Sequence, residues 1–167
     1  DVAARRRPNV AEEFRIQYAS KVLQKNTPMM YNNQQRMEAV YMKFSILGAT
    51  GYTGEELLRI LANHPQARVQ YLTSENQTGA PIAQTYPHLN QFYHDTMISI
   101  KEVEHIASSS DVVFACLPHG HAMAIGEQVT RAGARLIDMG ADYRFADTSV
   151  YEQWYKLKHV HANSQAV

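Results

Sequence analysis

One stretch constrains this chain more than any other. Lys43-Phe-Ser-Ile-Leu47, a short β-rich apolar run, passes directly into Gly48-Ala-Thr-Gly51-Tyr-Thr-Gly54 and then into a helix-forming segment, Glu55–Ala62. Strand, glycine-rich turn and helix, in that order, are what a dinucleotide-binding turn requires. Gly48 permits the tight turn, Gly51 lets the backbone approach a pyrophosphate, and Gly54 lets the helix pack close to the strand. Amides at the helix start, and the helix dipole, then attract phosphate. The cofactor-binding candidates here are Gly48, Ala49, Thr50, Gly51, Tyr52, Thr53 and Gly54. The spacing is G-x-x-G-x-x-G and not the commoner G-x-G-x-x-G, so a turn that merely joins two elements stands as the alternative. A nucleoside-triphosphatase phosphate loop is excluded, because no Gly-Lys-Ser/Thr follows.

Downstream, strand and helix patterns alternate. Leu57, Leu58 and Leu61 share the inward side of the first helix, which Asn63-His64-Pro65 stops. Val69–Thr73 alternates like a strand. Residues 74–97, with Gly79, Pro81 and Pro87, read as a long loop with little regular structure. Lys101–Ala107 is a short helix, and Val112–Leu117 a nearly unbroken apolar strand of the kind buried on both faces of a parallel sheet. His121–Arg131 is a helix closed by Gly133, Arg135–Met139 a second buried strand, and Ser149–Lys156 a last helix. The pattern predicts an α/β fold: a Rossmann-type doubly wound, mostly parallel sheet with right-handed crossovers.

Composition bounds the function classes. The 167 residues suit one domain of ordinary size, and 45% hydrophobic residues suffice for a core. Sixteen basic residues balance sixteen acidic ones, so no nucleic-acid partner working through a basic surface is expected. The single cysteine, Cys116, excludes an internal disulfide framework and fits a reducing compartment. The apolar run Val112–Leu117 is far shorter than the roughly 18 residues of a membrane span, and no secretory signal is visible; a soluble, cytoplasmic protein with no membrane partner is expected. Residues 1–41 carry a charge of +3 and the rest −3. Character changes at Met42, which predicts an N-terminal extension (1–41), frayed or partly helical through Val10, Phe14, Tyr18 and Val22, and a cofactor-binding domain over 42–167.

The choice of nicotinamide cofactor falls on the end of the second strand, where an acid usually holds the ribose hydroxyl of NAD. Here the strand ends in Thr73 and Ser74, whose small hydroxyls suit a 2′-phosphate and favour NADP (NADPH), while the next residue, Glu75, would repel it. Leu117, Pro118, His119 and Gly120 end a strand at the carboxyl edge of the sheet, where ligands collect in open α/β folds. His119 either orients a ligand or is held by a backbone partner. Asp142 and Arg144 also follow a strand, as a structural pair or with Arg144 meeting an anionic substrate. The pairs His119/His121 and His159/His161 have a spacing that suits a metal on a strand, but neither has a cysteine or second ligand pair nearby, and no metal is expected. Tyr151, Trp154 and Tyr155 are read as packing residues.

From Met42 onward the chain resembles the amino-terminal part of N-acetyl-gamma-glutamyl-phosphate reductase, within the aspartate-semialdehyde dehydrogenase-like superfamily. The resemblance rests on the glycine motif with Glu55-Glu-Leu-Leu58, on Leu72-Thr-Ser74, on Tyr86-Pro-His-Leu89, on Asp111–Gly120, on Leu136–Phe145 and on Val150–Tyr155. It implies NADPH-dependent reduction of an acyl phosphate to N-acetylglutamate semialdehyde in arginine biosynthesis. A cysteine attacks the acyl phosphate, phosphate leaves, and hydride delivered to the thioester releases the aldehyde. It further implies a small-molecule acyl-phosphate substrate and a homo-oligomer for the full-length enzyme, and places the Leu117–Gly120 loop near the nicotinamide. The family's cysteine stands in an Asn-Pro-Gly-Cys-Tyr-Pro motif that the sequence to Val167 does not contain. The expectation is therefore a cofactor-binding part with no catalytic residue of its own, inactive alone, in which Cys116 is a small core side chain. A reductase of carrier-bound aminoadipyl phosphate in lysine biosynthesis and an aspartate-semialdehyde dehydrogenase are the enzyme alternatives. A stand-alone nucleotide-binding or regulatory module is the alternative of another class.

Overall fold

The computed structural model describes residues 41–160. The expected extension up to residue 40, its helix and His161 lie outside the described residues. The elements, in chain order, are strand β1 (Met42–Leu47), helix α1 (Tyr52–Leu61), β2 (Ala67–Leu72), a short helix α2 (Ile82–Thr85), α3 (Val103–Ser108), β3 (Val112–Ala115), α4 (His121–Arg131), β4 (Arg135–Asp138) and α5 (Thr148–Tyr155), with 3-10 turns at Pro87–Leu89 and Ile100–Glu102.

The four strands form one parallel sheet in the order β2-β1-β3-β4. Successive side chains of a strand point to opposite faces, and the core divides accordingly. On one face Ile46 packs with Leu58 and Leu61 of α1 and with Leu72. On the other, Leu47 packs with Val103 and Ile106 of α3, Val113 of β3 and Val129 of α4. Helices thus cover both faces, and the expected doubly wound Rossmann-type sheet is what the chain forms.

The chain leaves β1 toward one neighbour, β2, and afterwards crosses back past β1 to β3. The order therefore reverses between β1 and β3. In open α/β sheets a crevice opens beyond the carboxyl ends of the strands at such a reversal. The loops that border it follow β1 (residues 48–51) and β3 (residues 116–120).

Strand β3 ends at Ala115 and not at the expected Leu117. Residues 74–97 carry little regular structure, as expected, only α2 and a 3-10 turn, but the segment is no surface loop: Ile82, Leu89 and Met97 are fully buried beside α1. Its glycines and prolines signal breaks but give no measure of what the residues between them bury. Helix α1 begins at Tyr52, inside the glycine motif, and not at Glu55. Strand β4 is not buried: it is one edge of the sheet among the described residues, with Ile137 40% exposed, as is Met139 just after the strand at 43%. An apolar strand reads the same from sequence whether or not a neighbour covers it.

Candidate functional site

The turn after β1 shows why two of its three glycines are glycine. Gly48 has φ +82°, and a Cβ there would sit 2.3 Å from the carbonyl oxygen of Cys116, which belongs to the loop after β3. The backbones of the two crevice loops touch at this point, as the 2.8 Å bond from Cys116 N to the Leu47 carbonyl also shows. A Cβ on Gly54 would lie 2.6 Å from the carbonyl of Gly48, so the first turn of α1 rests on the loop itself.

Gly51 is different. Its φ of −84° is open to any residue, and a Cβ there would meet nothing of the protein closer than 3.6 Å. Neither packing nor backbone strain within the described residues requires a glycine at this place. Gly51 is exposed and caps α1 without a side-chain hydrogen bond, so the first-turn amides of a ten-residue helix start at an open surface. Tyr52 and Thr53 beside it are exposed as well.

The turn is braced from β2 and from the segment beyond it. Thr73, 1% exposed, accepts a 3.1 Å bond at Oγ1 from Gly48 N, and its carbonyl accepts one from Ala49 N at 2.9 Å. The hydroxyls of Thr50 and Ser74 lie 3.0 Å apart, with Ser74 3% exposed. Tyr86 donates a 2.7 Å bond to the Thr50 carbonyl. Burial, and then the Glu55 carboxylate, push the Tyr86 hydroxyl above its ordinary value, so it stays a donor. Thr73 and Ser74 are therefore engaged within the chain, while Glu75 is exposed at the crevice end of β2.

The loop after β3 holds Leu117, half-buried, then Pro118 and His119, exposed. The His119 ring lies against Tyr155 in a tilted contact, centroids 4.5 Å apart and planes at 55°. Gly120, at φ +89°, starts α4 in a left-handed conformation and brings no cap of its own. The cap comes from Asp142: Oδ1 accepts from Gly120 N at 2.8 Å and Oδ2 from Met123 N at 3.0 Å. Asp142 is thus a helix cap and not the partner of Arg144, which instead donates 2.7 Å to the Gly140 carbonyl. Sequence reasoning missed this role. An Asp soon after a strand has no spacing relation to a helix start 22 residues earlier.

Cys116 packs at the margin of the α1-side core. Burial, and then the Asp138 carboxylate, push its thiol up to about 11. Among the described residues no group of three or more His, Cys, Asp or Glu is placed to hold a metal ion, and no helix is long and apolar enough to cross a membrane.

The family described as "Semialdehyde dehydrogenase, NAD binding domain" matches residues 43–163. The chain belongs to that family. The resemblance read from its motifs extends over 118 aligned residues. The chain is 48% identical over 118 residues to an N-acetyl-gamma-glutamyl-phosphate reductase of Pelotomaculum thermopropionicum, which covers 71% of this chain and 34% of the relative. It is 45% identical over 118 residues to one of Pseudomonas aeruginosa, with the same 71% and 34% coverage. The chain thus spans about a third of the length of the curated relatives it matches. Among solved structures, the fold is similar to an aspartate semialdehyde dehydrogenase with NADP from Candida albicans, at a TM-score of 0.53 and 24% identity, over 62% of this chain and 31% of that one. These relatives are oxidoreductases by name, and the family is one of nicotinamide-cofactor binding.

Proposed function

We propose that residues 42–160 form the NADPH-binding part of an N-acetyl-gamma-glutamyl-phosphate reductase, working in arginine biosynthesis. One observation carries the cofactor reading: Gly51 is a glycine that nothing among the described residues requires, at an exposed helix start with no side-chain cap, in the loop that borders the crevice. The space a side chain would fill there suits a pyrophosphate, which the first-turn amides of α1 and the helix dipole would hold. Gly48–Gly54 would cradle the phosphates. The end of β2, with Thr73 and Ser74, would lie beside the adenosine ribose, and Leu117–Gly120 beside the nicotinamide. The choice of NADPH over NADH rests on the family resemblance, because the Thr73 and Ser74 hydroxyls are engaged within the chain and the exposed group at this strand end is the Glu75 carboxylate.

The bound cofactor would supply hydride for reduction of an acyl group. The residues of this chain bind and orient. Its one cysteine is a poor nucleophile, because a thiol at about 11 is only about one part in ten thousand thiolate at neutral pH. The resemblance assigns the covalent step on an acyl-phosphate substrate to the cysteine of the family's Asn-Pro-Gly-Cys-Tyr-Pro motif and not to Cys116, so these residues alone should not turn over. A cytoplasmic homo-oligomer for the whole enzyme belongs to the same reading.

Calorimetric titration with NADPH and, in parallel, NADH tests the reading. Saturable binding, clearly tighter for NADPH, is expected. Tighter NADH would move the ribose contact to Glu75 and refute the NADPH choice. A folded chain that binds neither would sink the cofactor reading itself.

A further inference from the structure

The loop after β3 is held by a residue that lies beyond β4. We propose that Asp142 is a positioning residue for the cofactor, fixing the Leu117–Gly120 loop against the nicotinamide half of the crevice; this rests on the cofactor reading above.

Four features point that way. The carboxylate is 1% exposed, and both its oxygens are spent on the start of α4: Oδ1 on Gly120 N and Oδ2 on Met123 N. Gly120 offers no side chain to do this locally, and a carboxylate is the favoured group at a helix N-terminus. Second, Asp142 is itself held. Tyr151, fully buried, donates 2.9 Å to Oδ1, its own amide donates 2.9 Å to Asp138 Oδ2, and its carbonyl lies 2.6 Å from His159 Nε2. Third, the same arrangement builds the wall beside the loop: α5 contributes Tyr151 to Asp142 and Tyr155 to the His119 ring. Fourth, the loop it fixes lies on the β3 side of the crevice. The glycine turn and the end of β2 lie on the other side and take their bonds from Thr73, Ser74 and Tyr86. Apart from the backbone contact of Gly48 with Cys116, the two halves of the crevice are thus braced by separate sets of side chains.

That separation makes the proposal testable with a pair of ligands. NADPH spans the crevice, whereas adenosine 2′,5′-bisphosphate offers only the adenosine end. Asp142→Asn keeps the size of the side chain and the backbone bonds to His159 and Asp138. It presents one accepting oxygen where the Gly120 and Met123 amides and the Tyr151 hydroxyl converge on two, because the amide nitrogen cannot accept. Titration of the folded variant is expected to show NADPH affinity reduced about tenfold, the scale of one lost hydrogen bond to a charged group, with bisphosphate affinity unchanged. Equal losses for both ligands would show a general structural role and overturn the proposal, as would no loss for either. Should Asp142→Asn fail to fold, Tyr151→Phe removes only the bond to Oδ1; the same one-sided loss, smaller in size, is expected, and an even-handed one refutes it. A wild-type chain that is folded yet binds neither ligand overturns the cofactor reading and this proposal with it. NADPH binding undisturbed in the variant overturns this proposal alone.

Discussion

Gly48 and Gly51 stand three residues apart in one turn, and the structure assigns them opposite consequences when each is replaced by alanine. At Gly48 the new Cβ would stand 2.3 Å from a backbone carbonyl, and the residue must hold φ at +82°. The left-handed conformation costs an alanine about 1–2 kcal/mol. Pushing the backbone of the β3 loop aside adds about 1–3 kcal/mol. Gly48→Ala should therefore lose about 2–5 kcal/mol, a large part of the roughly 5–15 kcal/mol that holds a domain of this size. At Gly51 the nearest atom to the new Cβ is 3.6 Å away and φ is −84°, so no strain arises. Alanine caps a helix less well than glycine, but it also restricts the unfolded chain by about 0.4–1 kcal/mol, and the two effects oppose each other. Stability of Gly51→Ala should stay within about 1 kcal/mol of wild type, while NADPH affinity collapses because the methyl group stands where the pyrophosphate must come. Urea denaturation followed by circular dichroism reads the first quantity and calorimetry the second. The reasoning fails if Gly51→Ala binds NADPH like wild type, or if Gly48→Ala is as stable as Gly51→Ala.

Other perturbations have equally definite outcomes. The Tyr143 hydroxyl is buried without a hydrogen-bond partner among the described residues, so Tyr143→Phe should raise unfolding free energy by about 1 kcal/mol in a urea titration. Gly126, inside α4, would put a Cβ within 2.1 Å of that same hydroxyl, and Gly126→Ala should destabilise by about 1–3 kcal/mol, less in the Tyr143→Phe background. Thr73→Val keeps shape but leaves Gly48 N without its acceptor, and should cost about 1–3 kcal/mol by the same assay. Burial raises Cys116 from its ordinary value near 9 to about 11, and Tyr93 and Tyr151 to about 12. Each of these groups folds more readily when protonated, so their contribution is whole below pH 9 and is lost as pH rises through 11 and 12. The melting temperature should fall across that window, and the fall should begin later in Cys116→Ala; a flat profile would refute the assignment.

Much of this molecule is legible without coordinates because its signals are local. The strand–glycine–helix junction at residues 43–61, the apolar run at Val112 and the helix closed at Gly133 each depend on a few adjacent residues, and each appears in the structure as the kind of element those residues predict. The four parallel strands follow from the alternation of strand and helix, since parallel neighbours need a crossover between them. Boundaries are less legible. Helix α1 starts at Tyr52 because Gly54 lets its first turn lie on the Gly48 carbonyl, a contact between backbones that no pattern of side chains announces.

What the sequence alone determined is the order and kind of the elements and the chemical character of the turn after β1, since backbone freedom, helix start and apolar period are written within a turn or two of chain. The tertiary structure alone decided which of those residues are open at the surface and which hold the turn together. Thr73 and Ser74 became internal braces because β2 pairs beside β1 and brings their hydroxyls under the glycine turn. Asp142 became the cap of α4 because β3 and β4 run side by side and set their following loops together. Ile82, Leu89 and Met97 became core because a segment punctuated like a loop folds back against α1. Each outcome depends on residues distant in sequence meeting in space, and such meetings are settled by sheet order and packing.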